Sequence, residues 1–172
     1  MEIRTIGGNM SKNTYNVLDV ARHIINHVNE NERTISNLKL QKLLYIIQGC
    51  FLSCLDKPCF SEPICAWACG PIVLDVHNEF KRFANNSIPT VCTIYDAGEN
   101  FGLPISKPYE DAIVDSEDLW YIDTIVDTIG LLSMTILGDI IFLQEPWKNA
   151  YKSTSKIIDE EELKKYFDTL SK

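Results

Sequence analysis

Leu38-Lys39-Leu40-Gln41-Lys42-Leu43-Leu44-Tyr45 is the stretch that decides the fold of this chain, and Gln48-Gly49, Ala66-Trp67 and Gly70-Pro71 follow it. Its leucines recur at helical spacing, which predicts an amphipathic helix. The residues between the leucines predict a polar side that can meet another molecule: Lys39, Gln41, Lys42, Tyr45 and Gln48. The stretch contains no catalytic motif.

Two helices are predicted to form the centre of the fold. The first runs from about Asn16 to Glu30, because apolar residues recur there every three or four positions and Asn16 suits an N-cap. The second begins after Ser36 or Asn37 and continues for about five turns, with a broad apolar face that must lie against the core.

Irregular structure is predicted on both sides of a third helix. Two prolines in residues 57–70 indicate an irregular connection, with a short strand or two near Cys59-Phe60 and Ala66-Trp67. Proline suits the first turn of a helix, so the third helix is predicted over residues 71–83. Residues 85–114 have prolines and glycines but no sustained period, which predicts a long loop with at most a short hairpin.

Further helices are predicted in the C-terminal half. Ser116 can cap a fourth helix and Ser133 a fifth, whose apolar residues include Met134 and Ile140. Pro146 then starts a short turn of helix, and an acidic run precedes a last helix. The sequence therefore predicts a mainly α, compact single-domain fold of about six helices, with a small β or irregular element between helices two and three.

Length and composition agree with one domain. The chain has 172 residues, of which 45% are hydrophobic, enough for one core. Residues 1–14 are interpreted as a flexible leader, and residues 15–172 as the domain. The N-terminus lacks the apolar run of a signal peptide, and no stretch reaches the roughly 18 apolar residues of a membrane span. We therefore expect a cytoplasmic protein.

The charge balance disfavours nucleic acid as a partner. Sixteen basic residues against 24 acidic ones give a formal charge of −8. This charge opposes attraction to phosphates and favours steering toward a partner with a basic surface. A basic protein partner is the better expectation, and the sequence gives no indication of oligomeric state.

The six cysteines are interpreted as free thiols. Five of them fall close together, which raises the alternative of a zinc site: Cys50, Cys54, Cys59, Cys65 and Cys69. No Cys-x-x-Cys pair is present, and free cysteine often serves as a small buried hydrophobe. We expect no metal bound by the cysteines.

The remaining chemistry also argues against an enzyme. His23 and His27 are four residues apart, as in zinc metalloprotease helices, but the glutamate that acts as general base there is missing. Two surface histidines are the simpler interpretation. Cys54 or Cys69 with His77 could form a nucleophile and base, yet no supporting motif surrounds them. We expect no catalytic residue, no metal and no cofactor.

Two of the three tryptophans are candidate binding anchors. Trp67 and Trp147 lie beside glycine or proline, where an aromatic side chain can either pack in the core or contact a partner. Together with the polar residues of helix two they give the predicted partner-binding set: Lys39, Gln41, Lys42, Tyr45, Gln48, Trp67, Gly70, Pro71 and Trp147.

These motifs together resemble a known family. The segment from Leu38 to Gly49, then Ala66-Trp67, Gly70-Pro71, Phe80-Lys81 and Pro146-Trp147, is similar to the SocA-like antitoxin domain, also called the Panacea domain and related to phage-associated GepA-type proteins. The resemblance covers residues 15–167 in order. It implies a mainly helical antitoxin that neutralises a protein toxin by direct contact and requires no cofactor.

The chain departs from the family pattern at three places. Cys69 stands where relatives often have an aromatic residue, Leu74 where they have a proline, and Ile141-Phe142 where they have a histidine. The loop of residues 85–114 is not explained by the family motifs either. Partner specificity could therefore reside in that loop.

Two functional hypotheses remain from the sequence. The first is an antitoxin that masks its cognate toxin through a surface built around helix two. The second is a phage-encoded inhibitor that binds a host defence nuclease, where the charge of −8 would compete with nucleic acid for a basic groove.

Overall fold

Helices α1 (Val17–Glu30) and α2 (Asn37–Cys54) form the centre of the protein, as predicted. The computed structural model describes residues 14–97 and 104–170, so residues 1–13 of the predicted leader lie outside the described part. Asn16 accepts a hydrogen bond from the backbone N–H of Leu18, and Ser36 accepts one from Lys39. Both helices therefore begin at the predicted caps.

A small antiparallel hairpin follows α2. Strand β1 (Ile64–Trp67) pairs with β2 (Gly70–Val73), which confirms the strand predicted near Ala66-Trp67. The other predicted strand position, Cys59-Phe60, contributes only an isolated bridge between Phe60 and Tyr15.

The start of the third helix was predicted too early. Pro71 lies in β2 opposite Ala66, and α3 spans Leu74–Phe80, followed by a 3-10 turn at Lys81–Phe83. The chain reverses at Ala68-Cys69, and Gly70, with φ of 122°, follows this turn as the first residue of β2. Proline is tolerated at a strand position that need not donate a hydrogen bond, so Pro71 extends the hairpin instead of opening a helix.

A second hairpin occupies the predicted long loop. Strand β3 (Thr93–Ala97) pairs antiparallel with β4 (Pro104–Pro108), and residues 98–103 between them lie outside the described part. The prediction for residues 85–114 was a long loop with at most a short hairpin, and the structure has that hairpin. It also adds a β element besides the one between helices two and three.

Four helices complete the described chain: α4 (Ser116–Thr128), α5 (Met134–Phe142), α6 (Glu145–Lys152) and α7 (Glu160–Leu170). Ser133 caps α5 as predicted, but the cap of α4 is Asp115, which accepts hydrogen bonds from two backbone N–H groups, and not Ser116. The described residues thus contain seven α-helices rather than about six, because the short turn predicted at Pro146 is a helix of eight residues.

Helix α2 lies at the middle of the core. It packs against the helices α1, α3, α4, α5 and α7 and against strand β2. Leu40, Leu43, Leu44, Ile47 and Phe51 are fully buried, as their spacing predicts. Burying such a side chain contributes about 1.5–3 kcal/mol, so this face of α2 is a principal source of stability.

None of the described helices has both the length and the apolar composition needed to cross a membrane on its own. The segments Ser116–Leu131 and Met134–Phe142 reach that length and composition only when taken together, and they are bent by 104° relative to each other.

Candidate functional site

The polar side of α2 faces the interior of the protein. Seven of the nine predicted partner-binding residues are buried: Gln41, Lys42, Tyr45, Gln48, Gly70, Pro71 and Trp147. Lys39 is half-buried, and Trp67 is 40% exposed. The expectation that helix two presents a polar strip to solvent is therefore wrong, because the hairpin and the C-terminal helices cover that side.

Gln41 and Lys42 fasten the β1–β2 hairpin to α2. The Gln41 Oε1 atom accepts a hydrogen bond from the N–H of Val73 at 2.8 Å, while its Nε2 donates to Asn37 Oδ1 at 3.0 Å. Lys42 Nζ donates to the carbonyl oxygen of Cys69 at 2.9 Å, and burial lowers the pKa of this ammonium group. Both side chains thus make the hydrogen bonds that water would otherwise make with backbone groups of the hairpin.

Tyr45 and Gln48 connect α2 to two other segments. The Tyr45 hydroxyl donates to Gln144 Oε1 at 2.7 Å, and burial raises the pKa of this phenol. Gln48 Oε1 accepts from the N–H groups of Cys59 at 2.9 Å and Phe60 at 3.3 Å, and its Nε2 donates to the Phe60 carbonyl at 2.9 Å. Gln48 therefore satisfies three buried backbone groups of the segment before β1.

The two glycines of the motif stand where side chains do not fit. A Cβ atom at Gly49 would overlap the ring of Phe167, which packs across α2 from α7. Gly70 has a left-handed φ of 122°, and a Cβ atom there would meet Lys42 Nζ at 3.0 Å. The glycines thus permit close contact of α7 and of the hairpin with α2.

The two candidate tryptophans differ in exposure. Trp147 is 9% exposed and lies between two rings, with centroids 4.8 Å from Tyr151 and 4.8 Å from Phe142. Trp67, at the end of β1, presents an edge-to-face contact to His77 at 5.5 Å and remains 40% exposed. Only Trp67 of these two can contact a partner without rearrangement.

The outer side of α5 exposes a row of large apolar side chains. Ile136, Ile140 and Leu143 follow one another at helical spacing and are 48%, 44% and 73% exposed. Met134 and Leu131 extend this row and are also exposed. We call these five residues the α5 surface; a patch of this kind on a folded protein usually marks an interaction site.

A mainly apolar groove of about 320 Å³ adjoins the α5 surface. Ile140 and Leu137 of α5 line one wall, Ile46 of α2 lines the floor, and Phe167 and Leu170 of α7 contribute the opposite side. The sequence assigned the apolar residues of the fifth helix to packing and therefore missed this surface. The signal was present in α5, where apolar residues occupy most sides of the helix instead of a single face.

The half-buried Lys39 lies in a neighbouring depression on the same side of α2. This depression, about 350 Å³, is lined by Lys39, Leu43, Gly130 and Leu131. Burial, with a smaller effect of the nearby Arg33 charge, lowers the pKa of Lys39. Because Leu131 borders this depression and belongs to the α5 surface, the two features are continuous.

A cluster of histidines and aspartates joins α1 to α4. His23 Nε2 lies 2.7 Å from Asp123 Oδ1, and His27 Nδ1 lies 3.4 Å from the same oxygen. The other nitrogen of His23 contacts Asp111 Oδ2 at 2.5 Å, and the other nitrogen of His27 contacts Asp127 Oδ1 at 2.9 Å. The sequence showed the histidine pair but not the carboxylates, each of which is 88 or more positions away from the histidine that it contacts.

The carboxylates govern the protonation of His23. Burial alone would lower the pKa of this imidazole, but its hydrogen bonds to Asp123 and Asp111 and their negative charges offset burial and raise the pKa overall. The pKa of Asp127 is lowered although partial burial opposes the shift, because His27 and Arg33 donate to this carboxylate.

The cysteines do not converge. Cys59 is buried, Cys54, Cys69 and Cys92 are exposed, and all six cysteines are free thiols. Within residues 14–97 and 104–170, the one group of three potential metal ligands within 4.8 Å of one another consists of His23, His27 and Asp123. The zinc alternative based on cysteines has no support from this arrangement.

The described part of the chain is mainly helical, with its polar motif turned inward and an exposed apolar surface on α5. A family model described as "Antitoxin SocA-like, Panacea domain" matches residues 40–148, more than half of the chain. The chain belongs to this family, as its motifs predicted. No curated protein and no solved structure matches it.

Proposed function

We propose that this protein is a non-catalytic antitoxin that neutralises a cognate protein toxin by direct contact through the α5 surface and the adjoining groove. The observation that carries the proposal is the row of exposed Ile136, Ile140 and Leu143 beside an apolar groove. Family membership supports a toxin as the partner. The proposal moves the interface from the polar residues of α2 to the outer side of α5.

The lining of the groove supports apolar side chains as the partner's contacts. A groove between α2, α5 and α7 with apolar walls suits apolar side chains projecting from a helix or loop of the toxin. Exposed Asp139 on α5 and Glu145 at the start of α6, with the formal charge of −8, favour basic residues around those apolar anchors. Lys39 is the predicted helix-two residue that lies next to this interface, since it lines the depression bordered by Leu131.

Co-expression tests the proposal. We expect the wild-type chain to restore growth of cells that express the toxin encoded beside it, and Ile136→Asp with Ile140→Asp to abolish both rescue and co-purification. Trp120→Glu is the matched control, since Trp120 is 61% exposed on α4 but lies outside the α5 surface. Equal unfolding midpoints for all variants would show that loss of rescue is not loss of folding.

The same experiment also distinguishes the α5 surface from the β1–β2 hairpin as the site of partner contact. Rescue that survives the double substitution but fails with Trp67→Ala would place the interface at the hairpin, where Trp67 is exposed. Rescue unaffected by any of these variants would refute direct contact through both surfaces.

The phage-encoded inhibitor of a defence nuclease is the second candidate, favoured by the charge of −8. Recovery of a nuclease from host lysate, with an affinity that falls as salt rises, would support it over a toxin.

A further inference from the structure

The histidine and aspartate cluster has the arrangement of a metal site. Asp123 Oδ1 is the shared centre, and it faces His23 Nε2 at 2.7 Å and His27 Nδ1 at 3.4 Å. The three ligand atoms lie within 4.8 Å of one another. The two histidine rings are stacked with centroids 6.0 Å apart, and both extend from α1 toward Asp123 on α4.

Each histidine also has the outer partner that metal-bound histidines require. The second nitrogen of His23 contacts Asp111, and that of His27 contacts Asp127. A histidine that binds a metal through one nitrogen commonly donates the other N–H to a carboxylate, which fixes the tautomer and raises the basicity of the ligand. Both histidines show this pattern, and Arg33 in turn holds Asp127.

The charge of the cluster favours a cation. Three aspartates lie around two imidazoles, with Arg33 as the permanently charged partner on the Asp127 side. The histidine side chains are largely buried, 11% and 18% exposed, whereas Asp123 is 33% exposed. The two histidines are therefore held between α1 and α4, while the Asp123 carboxylate remains partly accessible to solvent.

We propose that His23, His27 and Asp123 bind one divalent transition-metal ion of the zinc type, with Asp111 and Asp127 as outer partners. Two imidazole nitrogens and one carboxylate oxygen form a ligand set that suits Zn²⁺ and related ions more than Mg²⁺ or Ca²⁺, which prefer oxygen. Zinc bonds of about 2.0–2.2 Å require ligand atoms slightly farther apart than 2.7 Å, a change that small side-chain rotations supply. The two histidines are largely buried and do not lie on the surface as the simpler interpretation had them.

The proposed ion would connect three parts of the chain. It would join α1 to α4 and, through Asp111, fix the end of the segment that follows β4. The site lacks the glutamate base of zinc proteases, so the proposal assigns binding and no reaction.

Titration of the metal-free full-length protein with Zn²⁺ tests the proposal. We expect one ion per chain and, at a hundredfold excess over Kd, a rise of about 5–10 °C in Tm. Asp123→Asn and His23→Gln should each abolish this rise. Asp111→Asn removes only an outer partner and should weaken binding by about 10–100-fold.

Two controls separate this site from the thiols. His77→Gln changes the remaining histidine of the chain and should leave binding intact, as should replacing the exposed Cys54, Cys69 and Cys92 by serine. Co²⁺ should give visible absorption without a sulfur-to-cobalt charge-transfer band. Such a band, undiminished binding in Asp123→Asn, or no binding by wild type at millimolar Zn²⁺ would each overturn the proposal. Circular dichroism of each variant identifies any that fails to fold.

Discussion

Replacing Gln48 by methionine should destabilise the protein strongly. Methionine has nearly the shape of glutamine but no amide, so it would leave the N–H groups of Cys59 and Phe60 and the Phe60 carbonyl without their partner. Cys59 and Phe60 are fully buried, so water cannot take the place of the Gln48 amide unless this segment opens. Each buried unsatisfied group costs about 1–3 kcal/mol, so we expect a total loss of about 3–5 kcal/mol after partial relaxation.

Urea unfolding measures this loss. With an m value of about 1–3 kcal/mol/M, the midpoint should fall by at least 1 M. Lys39→Met, a change on the same helix at a half-buried position, should stay within about 0.5 kcal/mol of wild type. Peptide mass mapping after thiol labelling should also show Cys59 reacting faster in the Gln48 variant under native conditions, since opening of its segment exposes this thiol.

The result that refutes the reasoning is specific. If Gln48→Met lowers stability by less than about 1 kcal/mol and leaves Cys59 protected, then the amide does not hold the segment. In that case the structural role of Gln48 would be too weak to explain its place in the motif. The earlier prediction that Gln48 contacts a partner would then be favoured.

Three further changes follow from the packing. Gly49→Ala should cost about 1–3 kcal/mol by overpacking against Phe167, and Phe167→Leu in the same chain should recover part of the loss in urea unfolding. Tyr45→Phe should cost about 1–3 kcal/mol because it leaves buried Gln144 Oε1 without its donor, and a loss below 0.5 kcal/mol would contradict that bond. Burial raises the pKa of the Cys59 thiol far above its ordinary value of 9.0, so the stabilisation from its neutral form is complete below pH 9.0 and is lost as pH rises above it. Cys59→Ala should therefore reduce the alkaline fall in unfolding free energy by about 1.4 kcal/mol per pH unit, and an unchanged slope would contradict the shift.

The helices of the core were predictable because their signals are local. The caps Asn16 and Ser36 and the leucines of α2 act within one or two turns, so the sequence alone places them. The position of Pro71 was not predictable in this way. A Gly-Pro pair is compatible both with a helix start and with a strand entered from a left-handed glycine, and the pairing of β2 with β1 decides between them.

The direction of the polar side of α2 depends on residues distant in the chain. Tyr45 bonds Gln144, 99 positions away, and Gln41 bonds Val73, 32 positions away. An amphipathic pattern states which residues differ in polarity but not what covers them, and here backbone groups of other segments take the place of water. For the same reason the sequence could not predict the carboxylates around His23, since Asp123 is 100 positions away.

The family motif therefore acts mainly as scaffold, and this bears on how one fold can serve different partners. Gln41, Lys42 and Gln48 satisfy backbone groups inside the protein, so changing them would alter stability before recognition. Ile136 and Ile140 lie outside this motif, on α5, with nearly half of each side chain in solvent. Substitutions there cost little folding energy, since exposed positions usually change stability by less than about 0.5 kcal/mol. A domain built this way can change the partner it binds while the motif that identifies it stays the same.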